Sequence, residues 1–247
     1  MDSRNYETVN EDSENALILT CEHAAASIPE EYGALGLPAE ELNRHIARDN
    51  GCREVVLKLA KKLNYFAIMG KYSRLLIDLN RRPEEEELIV TISDKTVIPG
   101  NQNISVEEKE KRLQKYYKPY YEAIEKQIEL LQAKGKTPVI FSIHSYTPQL
   151  TGGEYRPWQA GILYHRPTKL ADYLCHELQM HTEKKIGENV PYDLRQYNTG
   201  TAVICGEEKG FDYALIEIRD DEFQDLEQGA ARWAEILANT LQKYPGC

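Results

Sequence analysis

Two histidines, several carboxylates and two arginines stand at the ends of short apolar runs. Cys21-Glu22-His23 closes the run 16–21, and Asp78-Leu79-Asn80-Arg81 closes 75–79. His144-Ser145 follows 138–143, and Glu217-Ile218-Arg219-Asp220 ends 213–218. If the runs are strands of an open α/β sheet, these residues gather beyond the strands' carboxyl ends, where such sheets bind ligands. Two imidazoles with one carboxylate form the donor set of a catalytic zinc ion that keeps a position open for water. Such an ion lowers the pKa of its water and polarises a carbonyl. A further carboxylate could then move protons, and a guanidinium could hold a substrate carboxylate with two parallel hydrogen bonds. His23 and His144 have no local HxxxH spacing, so only the fold can bring them together. Taken singly, each also reads as a packed or capping histidine. Glu217 also reads as the partner of Arg219, because alternation sends both to one strand face.

The elements that must position these groups are legible from periodicity. Residues 1–14 are polar and unpatterned and read as a flexible leader; 15–247 shows no linker or repeat and reads as a single domain. Residues 16–21 have the continuity of a buried strand. A helix starts at Pro38-Ala39-Glu40-Glu41, with proline in the first turn and acids complementing the dipole. It is interrupted near Asn50-Gly51 and resumes with Val55, Val56, Leu59, Ala60 and Leu63 at helical spacing. Strands are expected over 65–69 and 75–79, and the acidic run 84–87 as a solvated loop. A long helix is expected over 105–134, stopped by Gly135. Strands at 138–143, 160–163 and 213–218 alternate with helices at 168–184 and 221–243. This alternation predicts a mixed, mainly parallel sheet covered on both faces, a three-layer α/β sandwich.

Composition narrows the classes. The 247 residues hold 30 Lys+Arg against 40 Asp+Glu, a net charge of −10, with 41% hydrophobic residues. No basic stripe is available to meet phosphates, so neither nucleic acid nor an anionic membrane is an expected partner. The apolar stretches are too short to span a bilayer, and no charged region followed by an apolar one opens the chain as a secretory signal. Five cysteines at 21, 52, 175, 205 and 247 show no paired spacing and read as reduced thiols of a cytoplasmic protein.

Eight segments in order, CEHA (21–24), RDNG (48–51), SRLLIDLNR (73–81), IPGN (98–101), SIHSYTP (142–148), RPWQAGIL (156–163), ENVPY (188–192) and IEIRDD (216–221), resemble the N-formylglutamate amidohydrolase family over roughly residues 16–240. That family is related to the zinc metallocarboxypeptidases. The resemblance therefore implies a zinc-exopeptidase (phosphorylase/hydrolase-like) fold and one zinc ion, or another divalent metal, per chain. HSY is similar to the carboxypeptidases' third-ligand motif, DLNR to their substrate-carboxylate motif, and IEIRD to the strand bearing their catalytic glutamate. One departure is plain: where they carry His-x-x-Glu, this chain reads His23-Ala24-Ala25-Ala26.

The metal set implied by the resemblance is His23, His144 and a carboxylate from elsewhere, Asp49 first and Glu22 as the alternative. His45, four residues before Asp49, either orients that carboxylate or is a solvated helix residue. Glu217 is implied as the general base. Arg81, with Asn80, is expected to hold a substrate carboxylate, and Arg74 to stabilise an oxyanion or a second carboxylate. Arg156 and Trp158 are expected to close over the ligand and Tyr146 to line the pocket; Asn189 and Tyr192 fall in a site-facing loop without an assigned role. The implied activity is hydrolysis of the amide of a small N-acyl amino acid bearing a free carboxylate, of which N-formylglutamate is the example. A zinc carboxypeptidase or amidase acting on peptide-like or cell-wall-derived substrates is the competing enzyme. A ligand-binding relic of the fold is the competing non-enzyme, and the joint presence of His23, His144, Arg81 and Glu217 argues against it.

Overall fold

A computed structural model describes residues 4–245; Cys247 and the first three leader residues lie outside them. In chain order the strands are β1 (Tyr6–Val9), β2 (Leu17–Cys21), β3 (Phe66–Gly70), β4 (Ile92–Ser93), β5 (Thr96–Val97), β6 (Val139–Tyr146), β7 (Ala160–Leu163), β8 (Ile186–Glu188) and β9 (Asp212–Arg219). The α-helices are α1 (Ala39–Leu42), α2 (Cys52–Leu63), α3 (Val106–Arg112), α4 (Lys118–Ala133), α5 (Lys169–His181), α6 (Thr201–Cys205) and α7 (Leu226–Leu241).

Seven strands make one sheet in the order β1-β3-β2-β6-β9-β7-β8, and β4 pairs with β5 as a separate hairpin. β3, β2, β6 and β9 run parallel, as do β7 and β8; β1 against β3 and β7 against β9 are antiparallel. The sheet is thus mixed and mainly parallel, as the alternation of elements requires. Every residue of β2, β3, β6 and β7 is buried, which requires helices on both faces. One layer joins α2, α5 and α7, with α2 lying on β2, β3 and β6 and α5 on β7, β8 and β9. The other holds α4 and α6, which meet where the Tyr121 hydroxyl lies 3.1 Å from Thr201 Oγ1. Trp233 of α7 and Tyr120 of α4 are fully buried. Among the described residues no helix is long and apolar enough to cross a membrane.

Three expectations are corrected. Residues 6–9 of the presumed leader form edge strand β1, paired with β3 from Tyr6↔Gly70 to Val9↔Ala67; Tyr6 and Val9 pack on the core. Residues 75–79 are not a strand but a run of turns. Their burial explains their apolar character, and side chains take up their carbonyls: Asn101 Nδ2 donates to Leu75 O, Arg112 Nη1 to Leu76 O and the Tyr121 hydroxyl to Leu79 O. The helix opening near Pro38 ends at Leu42, and 43–47 continue as turns with Ala47 N–H on Arg44 O.

The long helix over 105–134 forms with one irregularity, a π-helical turn over Leu113–Tyr117. Pro119 has no N–H for the Lys115 carbonyl, which accepts from Asn5 Nδ2 instead, at 2.7 Å. Ser105 caps its start through Glu108 N–H, and Gly135, at φ +72°, turns the chain out as expected.

Candidate active site

The parallel strands β2, β6 and β9 end on the same edge of the sheet, and register does the rest. His144 lies directly opposite Glu217, while the chain leaving β2 places Glu22 and His23 beside them. Gly70 lets the end of β3 approach closely, since a Cβ there would sit 2.0 Å from the Glu22 carbonyl oxygen. Asp49 comes from the loop before α2, clasped to the chain leaving β2 by its own N–H donating to His23 O at 2.9 Å.

His23, Asp49 and His144 are buried, and one ligand atom from each lies within 4.8 Å of the others. The Nδ1 atoms of both imidazoles face Asp49 Oδ2, at 3.4 Å for His23 and 2.8 Å for His144. Their Nε2 atoms face outward to further buried carboxylates. His23 Nε2 is 2.7 Å from Asp78 Oδ1; His144 Nε2 is 2.7 Å from Glu22 Oε2, within ion-pair range but off the line of a hydrogen bond. Two imidazole nitrogens and one carboxylate oxygen, each imidazole backed by a carboxylate, fit the needs of a divalent metal ion. Glu22, the alternative ligand, stands behind His144; its other oxygen accepts from the Tyr120 hydroxyl.

Burial alone would raise the Asp49 carboxyl, but the His23 charge and the hydrogen bonds from both imidazoles hold it far below the usual range. Burial likewise opposes a charge on His144, and the hydrogen bond to Asp49 with the nearby Glu22 charge reverses this and pushes its pKa well up. For Asp78 the burial penalty is outweighed by the charges of His23 and Arg74. Glu217 differs from all of these. Burial raises its carboxyl from 4.5 to about 7, with His144 pulling down and Asp49 pushing up, and its Oε2 has no hydrogen-bond partner. Arg219 does not pair with it: that guanidinium donates to Asp221, at 2.7 Å, and to Arg156 O.

A cavity of about 360 Å³ opens on this cluster, lined by His23, His144 and Glu217 together with Arg74, Asn80 and Arg81. Arg74 Nη2 donates to Asp78 Oδ2 at 3.0 Å, and its Nη1 is 3.6 Å from Asp49 Oδ1. Asn80 Oδ1 accepts from Thr201 N–H, leaving the amide nitrogen of its side chain for a ligand. Arg81 Nε lies 3.8 Å from Glu85 Oε2.

Three expected roles are corrected by position. His45 has no contact with Asp49, because the chain from Asn43 turns instead of continuing a helix; its Nε2 is 3.5 Å from Asp94 Oδ2 on the β4–β5 hairpin. Tyr146 is buried behind the cavity, its hydroxyl donating to Trp158 O. Arg156 also stands outside the lining, over the rings of Tyr146 and Tyr192 at 5.8 and 5.3 Å, with Nη1 on the Tyr192 hydroxyl at 3.2 Å. Tyr192 is the side chain that reaches the cavity. Asn189 is structural, its Oδ1 accepting from Tyr164 N–H. Sequence reasoning missed the wall formed by Leu163, Leu194, Tyr197, Thr199 and Leu215. Leu215, two residues before Glu217 on one strand, was the signal available.

A mixed α/β sheet that gathers paired imidazoles, a buried free carboxylate and two guanidiniums at its carboxyl edge carries a site of hydrolytic type, one that could hold a metal. The chain belongs to the N-formylglutamate amidohydrolase family, whose sequence model matches residues 15–223, and is thereby a hydrolase of amide bonds. The crystal structure of gene product Atu2144 from Agrobacterium tumefaciens is similar at TM-score 0.89 and 30% identity, over 97% of this chain and 96% of that one. N-formylglutamate amidohydrolase from Ralstonia eutropha JMP134 shares the fold, at TM-score 0.74 and 16% identity over 96% of each chain. No curated protein sequence matches the chain.

Proposed function

We propose that the protein is a zinc-dependent amidohydrolase that cleaves the acyl–nitrogen bond of a small N-acyl amino acid carrying a free carboxylate, the class of which N-formylglutamate is the family's example. The observation that carries this reading is Glu217, a buried carboxyl without a hydrogen-bond partner beside His23, Asp49 and His144. Those three residues would hold the metal ion, which when bound supplies Lewis-acid activation of water and of the amide carbonyl.

The other steps belong to this chain's own side chains. Glu217 takes a proton from the attacking water and delivers it to the nitrogen of the leaving amine. Arg74, fixed by Asp78, faces the charge that develops on the carbonyl oxygen. Arg81 and the Asn80 amide hold the free carboxylate. Tyr192, held by Arg156, covers the reacting groups. The size of the cavity supports a small substrate over a long peptide.

The test is metal content after purification without added metal, on wild type and His144→Ala, followed by hydrolysis of a panel of N-formyl and other N-acyl amino acids. Zinc should accompany the wild type, be lost from the variant, and support turnover. A folded wild type that takes up no zinc when it is offered, and hydrolyses none of the panel, overturns the reading.

A further inference from the structure

A cavity that accepts N-acyl amino acids must meet the amide, the carboxylate and whatever side chain or acyl tail remains. Its charges are unevenly matched to a dicarboxylic substrate. Apart from the two imidazoles that would hold the metal, Arg74 and Arg81 are the cationic side chains lining it among the described residues, and both already face carboxylates. Arg74 stands against Asp78 and Asp49, and Arg81 against Glu85. Glu85 and Glu87 also line the cavity. With Arg81 on one substrate carboxylate, a second would find no cation of its own. It would meet these glutamates, hydrocarbon or the uncharged Ser145, Tyr192, Tyr197 and Thr199, and a charge removed from water without a counter-charge is costly.

The floor points the same way. Leu215 shares its strand face with Glu217, and across the sheet it pairs with Leu163 of β7. Leu163 and Leu215 are buried yet line the cavity, and Leu194 joins them from the loop before α6. On the β9–β7 side, the Glu217 position is thus followed by the apolar pair Leu215 and Leu163, while Ser142 and Thr20 of the same row bond each other.

We infer that the cavity is built for an N-acyl amino acid bearing one carboxylate and one apolar group, seated on Leu163, Leu194 and Leu215, in preference to the dicarboxylic N-formylglutamate. This rests on the reading of the site as an N-acyl amino acid hydrolase. The apolar group can belong to the amino acid or to the acyl chain, and the substrates chosen below separate the two.

The experiment measures kcat/KM of the zinc-loaded protein for N-formylglutamate, N-formyl-leucine and N-hexanoylglycine. N-formyl-leucine, if the side chain occupies the floor, or N-hexanoylglycine, if the acyl chain does, should exceed N-formylglutamate by on the order of 10- to 100-fold. Leu194→Arg, at a half-buried loop position, supplies the absent cation and should move that ratio toward N-formylglutamate by about tenfold. A wild type that prefers N-formylglutamate to both others overturns the inference and leaves the amidohydrolase reading standing. An unchanged ratio in Leu194→Arg also overturns it, because the apolar group then lies elsewhere. No hydrolysis of any of the three overturns the amidohydrolase reading itself.

Discussion

Two of the molecule's ionic clusters are opposite in character. On the surface, Glu31 accepts from Lys111 at 2.8 Å, Lys115 at 2.5 Å and the Tyr116 hydroxyl at 2.9 Å. The Lys111 hydrogen bond leads in drawing its carboxyl down to about 2. Every group there is matched, and the carboxylate and both ammonium groups are partly exposed. At the carboxyl edge of the sheet, Glu22, Asp49, Asp78 and Glu217 surround two imidazoles and Arg74, almost all of them buried. There Glu22 Oε2, His144 Nε2 and Glu217 Oε2 lack aligned hydrogen bonds. Exposed pairs of the first kind contribute little to stability and fade with salt. Buried, unmatched charge costs stability and persists only where something else uses it, which is what a reactive site requires.

The sharpest way to break this contrast is Glu217→Gln. If the buried carboxyl works as the base, turnover falls by about 10²- to 10⁴-fold while metal content is retained; unchanged turnover removes Glu217 from the chemistry. The same variant measures the cost of the charge in metal-free protein. The Glu217 pKa is raised from 4.5 to about 7, so its ionisation penalises the fold fully above pH 7 and not at all below pH 4.5. The melting temperature of the metal-free variant should therefore exceed that of metal-free wild type at pH 8, and the gap should close by pH 4.5.

A smaller effect sharpens the roles within the cluster. Asp78→Asn, which weakens the anchor on His23 Nε2, should loosen metal binding by about 10- to 100-fold in a chelator competition titration. Unaltered affinity would reduce Asp78 to a partner of Arg74 alone. The smallest effect belongs to the surface. Glu31→Gln should leave turnover unchanged and lower the melting temperature slightly at low salt and not at high salt. A large, salt-independent loss would erase the distinction between the clusters.

The sheet was largely legible because its central strands are unbroken apolar runs, and a strand buried on both faces leaves that mark. Residues 75–79 carry the same mark for another reason. A buried loop whose carbonyls are taken by Asn101, Arg112 and Tyr121 is as apolar as a strand, and periodicity cannot separate the two. In the site, His23, His144 and Glu217 were readable because a strand dictates where its end points, whereas the strand expected before Asp78, Asn80 and Arg81 is a run of turns. His45 was misplaced because its position depended on a helix that stops at Leu42. The partnerships of Asp78 with His23 and of Glu22 with His144 were hidden, since long-range pairing between loops has no local signature. The same holds for the leucine and tyrosine wall, apart from Leu215.

The run from Asp78 to Arg82 touches nearly everything that matters. Asp78 anchors His23 and Arg74, and Leu79 and Arg81 offer carbonyls to the tyrosines of α4 and its π turn. Asn80 holds Thr201, and Arg82 holds Asn198 and Glu208. Five consecutive residues therefore set imidazole orientation, the substrate cation and the position of the cavity wall together. Substitutions within this run will not combine as independent losses, because each shifts the backbone on which the others depend. The segment can drift only as a block, so any lineage that retunes its substrate has freer ground at the cavity-lining side chains Leu194 and Tyr197.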